Sequence, residues 1–301
     1  MAADQLQRFL FDGTAVRGEI ARLESTYHEA LANHDYPEPI QRLLGELLAA
    51  CALLTATIKL DGTLGIEIRG NGAVSLLMAE SNPGNHERAQ RLRGIARFDH
   101  DAVAALADTS LHGLLGDGKV VITLDPREGR RYQGIVALDQ PSIAGCVETY
   151  FAQSEQLPTR LWLAADDQGA AGLLLQKLPA ESISLAADAD LDAWDRLNHL
   201  AATITDDELT GLDARDVLYR LFHEEQPRLF DPAPVMFACT CSRERFGVAL
   251  HQLGADELRG LIEERGEIET QCHFCNTTYV FSPADVEALI DNPDAPSPTM
   301  H

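Results

Sequence analysis

Two short cysteine motifs near the C-terminus, Cys239-Thr240-Cys241 and Cys272-His273-Phe274-Cys275, decide how the last part of the chain folds. Thirty residues separate the motifs, and the other two cysteines, Cys51 and Cys146, lie far upstream. Two thiolates one or two residues apart can bind one metal ion, and two such pairs complete the tetrahedral shell that zinc prefers. The four C-terminal cysteines therefore predict a zinc site in a small domain.

The same four sulfurs are also candidates for redox chemistry, because each motif can close a short-loop disulfide. A disulfide sulfur is no longer a thiolate, so oxidation would expel the metal. A static structural zinc site and a redox switch use the same ligands, and the spacing of the motifs does not separate them. Both remain open on the residues alone.

Three other interpretations of this region fit the residues less well. His251 and His273 lie nearby, but four cysteines already fill a zinc shell. His223-Glu224-Glu225 together with the CxxC motif is similar to a zinc deaminase signature, yet Gln271 stands where that signature has proline. A thioredoxin-like site at Cys272–Cys275 would need a surrounding βαβ pattern, which the sequence lacks.

No catalytic residues are predicted, and the chain is not expected to be an enzyme. Cys51 and Cys146 occur in apolar helical patterns, which is typical of small buried side chains. Gly116-Asp117-Gly118 lacks the spacing of a phosphate-binding loop and indicates a tight turn. No set of Ser, His and Asp residues stands out.

The composition indicates a soluble protein with room for two domains. The chain has 301 residues, of which 45% are hydrophobic and 24% are charged. Met1–Leu6 lack the basic and apolar regions of a signal peptide, and no apolar stretch is expected to reach membrane-spanning length. We therefore expect a cytoplasmic protein without a membrane partner, in which paired cysteines serve metal or redox chemistry.

The negative charge is strong and uneven, with a net value of −23. Residues 1–180 hold 23 acidic and 16 basic residues, residues 181–235 hold 13 and 4, and residues 236–301 hold 11 and 4. Nucleic-acid binders concentrate Lys and Arg on one face, because neutralising phosphates supplies most of their affinity. No nucleic-acid partner is predicted.

Residues 1–180 are predicted to form an α+β domain of mixed strands and helices. Strand patterns at 5–11 and 15–22 flank the turn Asp12-Gly13, and a long apolar helix pattern runs from 39 to 59. Further strands are predicted at 64–69, 73–78, 120–124, 132–138, 160–165 and 172–177, with a helix at 142–156. This order does not repeat a βαβ unit.

Residues 181–235 are predicted to form an amphipathic helical linker. Apolar residues recur there every three or four positions, so one face must be buried, and the N-terminal sheet is the nearest surface. The predicted linker docking face consists of Trp194, Leu197, Leu200, Val217, Leu221 and Phe222. Residues 226–235 contain three prolines and lead into the cysteine region.

Residues 236–291 are predicted to form the small zinc-binding domain, which is the candidate for a redox switch. Within it, Ser282-Pro283-Ala284-Asp285 has the composition of a helix start. Residues 292–301 contain three prolines and are predicted to form a disordered tail.

The chain resembles the 33-kDa heat-shock protein family of redox-regulated bacterial holdase chaperones over nearly its whole length. The resemblance is carried by both cysteine motifs and by the strings Gly116–Gly118, Tyr150–Thr159, Leu175–Pro179 and Leu221–Glu225. It implies that Cys239, Cys241, Cys272 and Cys275 bind one zinc ion in an inactive reduced state. Oxidation would then form the disulfides Cys239–Cys241 and Cys272–Cys275, unfold the C-terminal domain and loosen the linker.

The resemblance further implies that the oxidised protein forms a homodimer and binds unfolding client proteins without ATP. Clients would pass later to an ATP-driven foldase chaperone. The competing hypothesis is a constitutive structural-zinc binding module attached to an unidentified α+β enzyme. Such a module would keep its metal and its fold in mild peroxide, whereas a switch would lose the metal and gain activity.

Overall fold

The protein consists of two compact units, Met1–Ala238 and Cys239–His301. The structure is a computed structural model that describes residues 4–32, 34–58, 60–84, 88–179, 190 and 192–291. Residues 181–189 of the predicted linker and the predicted tail, 292–301, lie outside the described residues.

One large sheet forms the framework of the first unit. Its strands follow the order β7-β6-β3-β4-β5-β11-β1-β2-β9-β8, with β10 beside β1. Neighbouring strands are antiparallel, except that β11 runs parallel to β5. The strands are β1 (Gln5–Leu10), β2 (Val16–Leu23), β3 (Gly62–Gly70), β4 (Val74–Asn82), β5 (Gln90–Phe98), β6 (Gly118–Pro126), β7 (Tyr132–Ala137), β8 (Thr159–Ala165), β9 (Ala170–Lys177), β10 (Arg228–Leu229) and β11 (Ala233–Phe237).

Eight α-helices accompany this sheet among the described residues. They are α1 (Ser25–Leu31), α2 (Glu38–Thr57), α3 (His100–Ala105), α4 (Leu111–Leu115), α5 (Ile143–Tyr150), α6 (Ala193–Ala201), α7 (Asp206–Gly211) and α8 (Ala214–Phe222). A π-helical turn, Phe151–Glu155, continues α5. The last three helices lie within the predicted linker.

Helix α2 is the centre of the main core. It packs against β2, β3, β4, β5, β8 and β9, and fourteen of its 20 residues are buried. By length and composition alone this helix could cross a membrane, so the expectation that no apolar stretch reaches that length was wrong. Its burial among strands accounts for the apolar composition, since a core helix contacts apolar side chains on most of its faces.

The half of the sheet formed by β1, β2, β9 and β8 is covered on both faces. Leu174 on β9 belongs to the core around α2, whereas Leu173 and Leu175 belong to a second apolar cluster with α6, α7 and α8. Successive residues of a strand point to opposite faces, so α2 covers one face and the linker helices cover the other. This explains why β9 is a nearly continuous apolar run.

A buried carboxylate lies between β1, β2 and α2. Glu19 on β2 is 2% exposed, accepts a hydrogen bond from Thr57 Oγ1 at 3.1 Å and lies 3.6 Å from Arg8 Nε. Burial raises the pKa of Glu19 to about 7, although Arg8 and Arg17 both act to lower it. The folded state therefore holds a proton here that an exposed glutamate would release.

Several predicted elements of the first unit are confirmed. The hairpin around Asp12-Gly13 is β1–β2, the long apolar helix is α2, and β3, β4, β6, β7, β8 and β9 all coincide with predicted strands. Strands β5, β10 and β11 were not predicted. Strands β10 and β11 lie in the proline-containing segment that was expected only to connect two regions; β10 pairs with β1, and β11 pairs with both β1 and β5.

The second unit is small and contains both cysteine motifs. It comprises α9 (Arg243–His251), α10 (Ala255–Arg265), the hairpin β12 (Ile268–Gln271) and β13 (Thr278–Phe281), and α11 (Pro283–Ile290). The predicted helix start at Ser282 is confirmed, since Ser282 and Asp285 form a reciprocal capping box. Among the described residues of this unit, the buried apolar core consists of Leu250, Leu258, Ile268, Phe281 and Val286.

Candidate metal centre

The first cysteine motif lies in the segment that precedes α9. Ser242 caps this helix by accepting a hydrogen bond from the backbone N–H of Arg245 at 3.3 Å. Arg245 Nη1 in turn donates to the Thr240 carbonyl at 2.9 Å. These contacts fix the backbone on both sides of Cys241, so the sulfur positions of the motif are set by the start of the helix.

The second cysteine motif forms the tight turn between β12 and β13. The N–H of Cys272 donates to the Thr277 carbonyl at 3.0 Å, and the N–H of Asn276 donates to the Cys272 carbonyl at 2.8 Å. Asn276 has a φ of 54°, in the left-handed region that asparagine tolerates better than most residues. This turn brings the sulfurs of Cys272 and Cys275 to the same side of the hairpin end.

The four predicted ligands come together in one cluster, with all four sulfurs within 4.8 Å of one another. Cys239 Sγ lies 3.6 Å from Cys272 Sγ, and Cys241 Sγ lies 3.4 Å from Cys275 Sγ. Zinc bound to four thiolates at about 2.3 Å would separate neighbouring sulfurs by about 3.8 Å. All four cysteines are free of disulfides. The arrangement therefore fits a tetrahedral metal ion.

Two hydroxyl groups of the second hairpin strand and the preceding turn contact the sulfurs. The Tyr279 hydroxyl donates to Cys241 Sγ at 3.2 Å, and Thr277 Oγ1 lies 3.2 Å from Cys275 Sγ. Neither residue was predicted as part of the site. The signal that could have found them is the Thr277–Tyr279 run directly after the CxxC motif, because the return strand of a hairpin passes beside its own turn.

The thiols differ in their acidity. Burial raises the pKa of Cys241 to about 12 against the opposing effect of the Tyr279 hydroxyl. Burial also acts to raise the pKa of Cys275, but hydrogen bonds from the side chain and backbone of Thr277 outweigh it and lower that pKa to about 7. The pKa of Cys275 is therefore shifted towards formation of the thiolate near neutral pH, whereas the pKa of Cys241 is shifted away from it.

The histidines considered as alternative ligands do not join the cluster. His251 Nδ1 is 2.8 Å from the Leu289 carbonyl, and the side chain of His273 is exposed. His223, the histidine of the deaminase-like string, is in the first unit, where its Nδ1 lies 3.2 Å from the Tyr219 carbonyl. Among the described residues, the metal-ligand cluster contains cysteines only.

The two upstream cysteines are buried in the main core. Cys51 on α2 and Cys146 on α5 are both fully enclosed, and burial raises the pKa of each thiol. A thiol that stays protonated and inaccessible is a poor nucleophile and a poor metal ligand.

The six residues predicted as the linker docking face all belong to the apolar cluster shared with β1, β2, β8 and β9. Leu197, Val217 and Phe222 are completely buried, Leu221 is 3% exposed, and Trp194 and Leu200 are half-buried. The Phe222 ring lies 5.1 Å from the Phe11 ring and 6.1 Å from the Phe9 ring, between ring centres.

The sheet surface under α8 is shaped for these rings. The Phe9 ring covers its cross-strand partner Gly18, where a Cβ atom would lie 2.1 Å from the ring. Gly18 thus lets the aromatic side chain lie flat on the sheet, a pairing that shields the backbone of a strand glycine. A polar contact adds to the apolar ones, because Arg22 Nη1 donates to the Leu212 carbonyl at 2.6 Å.

Comparison with known proteins identifies the family to which this chain is similar. The family model described as Hsp33 protein matches residues 4–282. The chain belongs to the Hsp33 family. It is 47% identical over 296 residues to the 33 kDa chaperonin of Shewanella woodyi, covering 98% of this chain and 99% of the relative. It is 49% identical over 302 residues to the 33 kDa chaperonin of Pseudomonas paraeruginosa, covering 99% of each.

The fold agrees with that of a solved Hsp33 homologue. The crystal structure of the 33 kDa chaperonin of Thermotoga maritima superposes with a TM-score of 0.76, at 24% identity, and covers 95% of this chain and 97% of that one. The predicted α+β class with a small C-terminal cysteine unit is confirmed. Hsp33 is a chaperone family and not an enzyme family, which counts against the alternative of a binding module attached to an enzyme.

Proposed function

We propose that this protein is a redox-regulated, ATP-independent holdase that binds unfolding proteins after its cysteine centre is oxidised. The observation that carries the proposal is the cluster of four sulfurs within 4.8 Å, set in a unit whose described residues form a buried core of five side chains. Metal ligands and oxidant targets are then the same atoms, and they support a unit with little apolar core of its own.

In the reduced state, Cys239, Cys241, Cys272 and Cys275 would hold one zinc ion as thiolates. Zinc bound in this way supplies on the order of 10–16 kcal/mol to the folding of a small domain. A whole domain is stable by only about 5–15 kcal/mol. The fold of the second unit would therefore depend on these four cysteines remaining reduced.

Oxidation by peroxide would convert each motif into a disulfide. In each motif two thiolates lose two electrons and one S–S bond forms, while one peroxide molecule takes up those electrons and two protons from the solvent to give two water molecules. The proposed bonds are Cys239–Cys241 and Cys272–Cys275. Their sulfurs would no longer be thiolates, so the unit would lose all four metal donors at once.

The choice of disulfide partners decides whether oxidation opens the unit. Two close sulfur contacts, Cys239–Cys272 at 3.6 Å and Cys241–Cys275 at 3.4 Å, join the two motifs, at sequence separations of 33 and 34 residues. Disulfides between the motifs would each restrict the unfolded chain by about 4 kcal/mol and fasten the unit together, whereas bonds within the motifs close loops of a few residues and contribute only about 2 kcal/mol each. Opening therefore requires pairing within the motifs.

Release of the linker would follow from unfolding of the unit that succeeds it in the chain. Helices α6, α7 and α8 have six to nine residues each, too short to be stable in water without the sheet beneath them. Their departure would uncover Phe9, Phe11, Leu173 and Leu175 on the sheet. An exposed apolar surface of that kind is what unfolding proteins bind.

The functional division of the chain follows the same proposal. Residues 1–180 would act as the core domain, residues 181–235 as the releasable linker, residues 236–291 as the switch and residues 292–301 as a tail. We also propose that the oxidised form is a homodimer, that clients pass to an ATP-driven foldase, and that the protein works in the cytoplasm.

The test compares three preparations of one protein: reduced and zinc-loaded, treated with peroxide, and treated then reduced again. Light scattering of a thermally unfolding client, without ATP, should fall only with the peroxide-treated sample. Equal suppression by the reduced and oxidised forms would reject the switch, and no suppression by either would reject the chaperone function. Peptide mass spectrometry maps the disulfides, and bonds between the motifs would contradict the opening step.

A further inference from the structure

A cleft of about 420 Å³ lies between the linker helix α6 and the core elements α5 and β8. Trp162 on β8 and Trp194 on α6 both line it, and these are the two tryptophans of the chain. Each indole is half-buried and packs at the edge of the apolar cluster beneath the linker. The cleft therefore offers two large aromatic surfaces, one from each side of the contact between core and linker.

The charges that line the cleft are predominantly negative. Glu148 has a side chain 18% exposed, and its Oε2 pairs with Arg160 Nη1 at 2.7 Å. Asp195 is exposed and forms no ion pair with any described residue. The imidazole of His199 also lines the cleft, with its Nδ1 2.6 Å from the Asp195 carbonyl. Because Glu148 is engaged by Arg160 and by the Leu161 N–H, Asp195 is the carboxylate left to meet a further positive group.

The cleft also contains an acceptor that lacks a donor. Asn198 on α6 donates through Nδ2 to the Trp194 carbonyl at 2.6 Å, and its Oδ1 is buried without a hydrogen bond from any described residue. A buried acceptor left in this way is unfavourable. The terminal amide torsion of asparagine is broad, so rotation about it, at the expense of the Nδ2–Trp194 contact, would turn Oδ1 towards a donor in the cleft.

We propose that this cleft binds a guanidinium group. A guanidinium is planar and stacks on indole rings, and its fork of N–H donors matches carboxylate and amide acceptors. The residues that line the cleft include each complement: the indoles of Trp162 and Trp194, the Asp195 carboxylate, which forms no ion pair with a described residue, and Asn198, whose amide oxygen has no donor among them. An ammonium group has no flat face to stack on the indole rings, so it would make fewer of these contacts.

A bound guanidinium would hold α6 against the core, because the walls of the cleft come from both. A ligand that binds only the docked arrangement stabilises that arrangement in proportion to its occupancy. Such a ligand would delay the response of the protein to oxidation. This consequence rests on the proposed function, whereas binding itself does not.

The binding test uses the intrinsic fluorescence of the full-length reduced protein, titrated with L-argininamide at constant ionic strength. The matched control ligand is L-citrullinamide, in which a neutral urea replaces the guanidinium. We expect argininamide to change the tryptophan fluorescence in a saturable way. The same should be seen in Trp162→Phe and in Trp194→Phe, each of which keeps one tryptophan as the reporter. Asp195→Asn should raise the Kd about two- to fivefold, as loss of an exposed ion pair does.

The control variant is Asp207→Asn, an exposed acid of α7 that does not line the cleft and should leave the Kd unchanged. A titration without saturation, equal binding of citrullinamide, or an unchanged Kd in Asp195→Asn would each overturn the proposal. Blocked pentapeptides with a central arginine or glutamine distinguish a peptide side chain from a free metabolite as the source of the group.

A separate measurement addresses the regulatory consequence. Saturating argininamide should slow the proteolysis of residues 192–225 after peroxide is added. Saturable binding without such a delay would overturn the regulatory consequence alone and leave the guanidinium site standing.

Discussion

Replacing Phe222 by alanine should release the linker while the cysteines remain reduced. Phe222 is completely buried, with its ring 5.1 Å from that of Phe11. Deleting a buried phenylalanine side chain costs about 3–5 kcal/mol. If this free energy is lost from the docked arrangement of the linker and not from the released one, the ratio of released to docked linker rises roughly 150- to 5,000-fold.

The same helix supplies a matched control. Tyr219 lies one turn earlier on α8 and is 72% exposed, so Tyr219→Ala should change stability by no more than about 0.5 kcal/mol. Both variants remove an aromatic ring from α8, and only one of them removes contacts with the sheet. Any difference between them therefore reports docking and not helix propensity.

The assay combines hydrogen exchange with client protection under reducing conditions and with zinc present. In Phe222→Ala, amides of α6, α7 and α8 should exchange faster than in Tyr219→Ala, while those of α2 stay protected. Client light scattering should fall without peroxide. Unchanged exchange in α8 would refute the docking energetics, and fast exchange without client protection would refute the idea that an uncovered sheet suffices.

Three further outcomes are expected. Cys272→Ser should bind much less than one zinc per chain by metal analysis, and full occupancy would show that the ligand set is wrong. Cys51→Ser combined with Cys146→Ser should retain zinc and the response to peroxide, because both side chains are buried in the core; a lost response with an intact circular dichroism spectrum would contradict this. Glu19 has a folded pKa of about 7 against an ordinary 4.5, so it stabilises the fold below pH 4.5 and that contribution is lost as the pH rises through 7. Denaturant titrations should therefore show that, between pH 4.5 and 8, the free energy of unfolding of the wild type falls by up to about 3 kcal/mol relative to that of Glu19→Gln. If the free energies of unfolding of the two proteins changed in parallel with pH, that would count against a protonated Glu19.

Local patterns predicted the elements that local physics determines. The hairpin at Asp12-Gly13, the apolar helix α2 and the capping box at Ser282 each depend on residues close in sequence, and all are present. The four cysteines were likewise found by spacing, and the structure brings their sulfurs together. Which metal they bind stays a prediction.

The missed elements depend on distant partners. Strand β5 carries Arg91, Arg93 and Arg97 on one face and Gly94 among its inward residues, so its apolar alternation is weak. Strand β11 contains Pro234 and follows Pro232, which argues against a strand until β1 and β5 are seen on either side of it. Tyr279 contacts Cys241 only because a hairpin returns past its own turn.

The position of β11 sets the order in which the nascent chain can assemble. This strand lies between β5 and β1, yet about 140 residues separate its end from the end of β5, so at roughly 5–20 residues per second it follows β5 from the ribosome by roughly 7–28 s. Over that interval one edge of β5 and one edge of β1 have no partner strand. Unpaired edges are where separate chains associate, so we expect the nascent chain of this chaperone-family protein to be most prone to aggregation before β11 is synthesised.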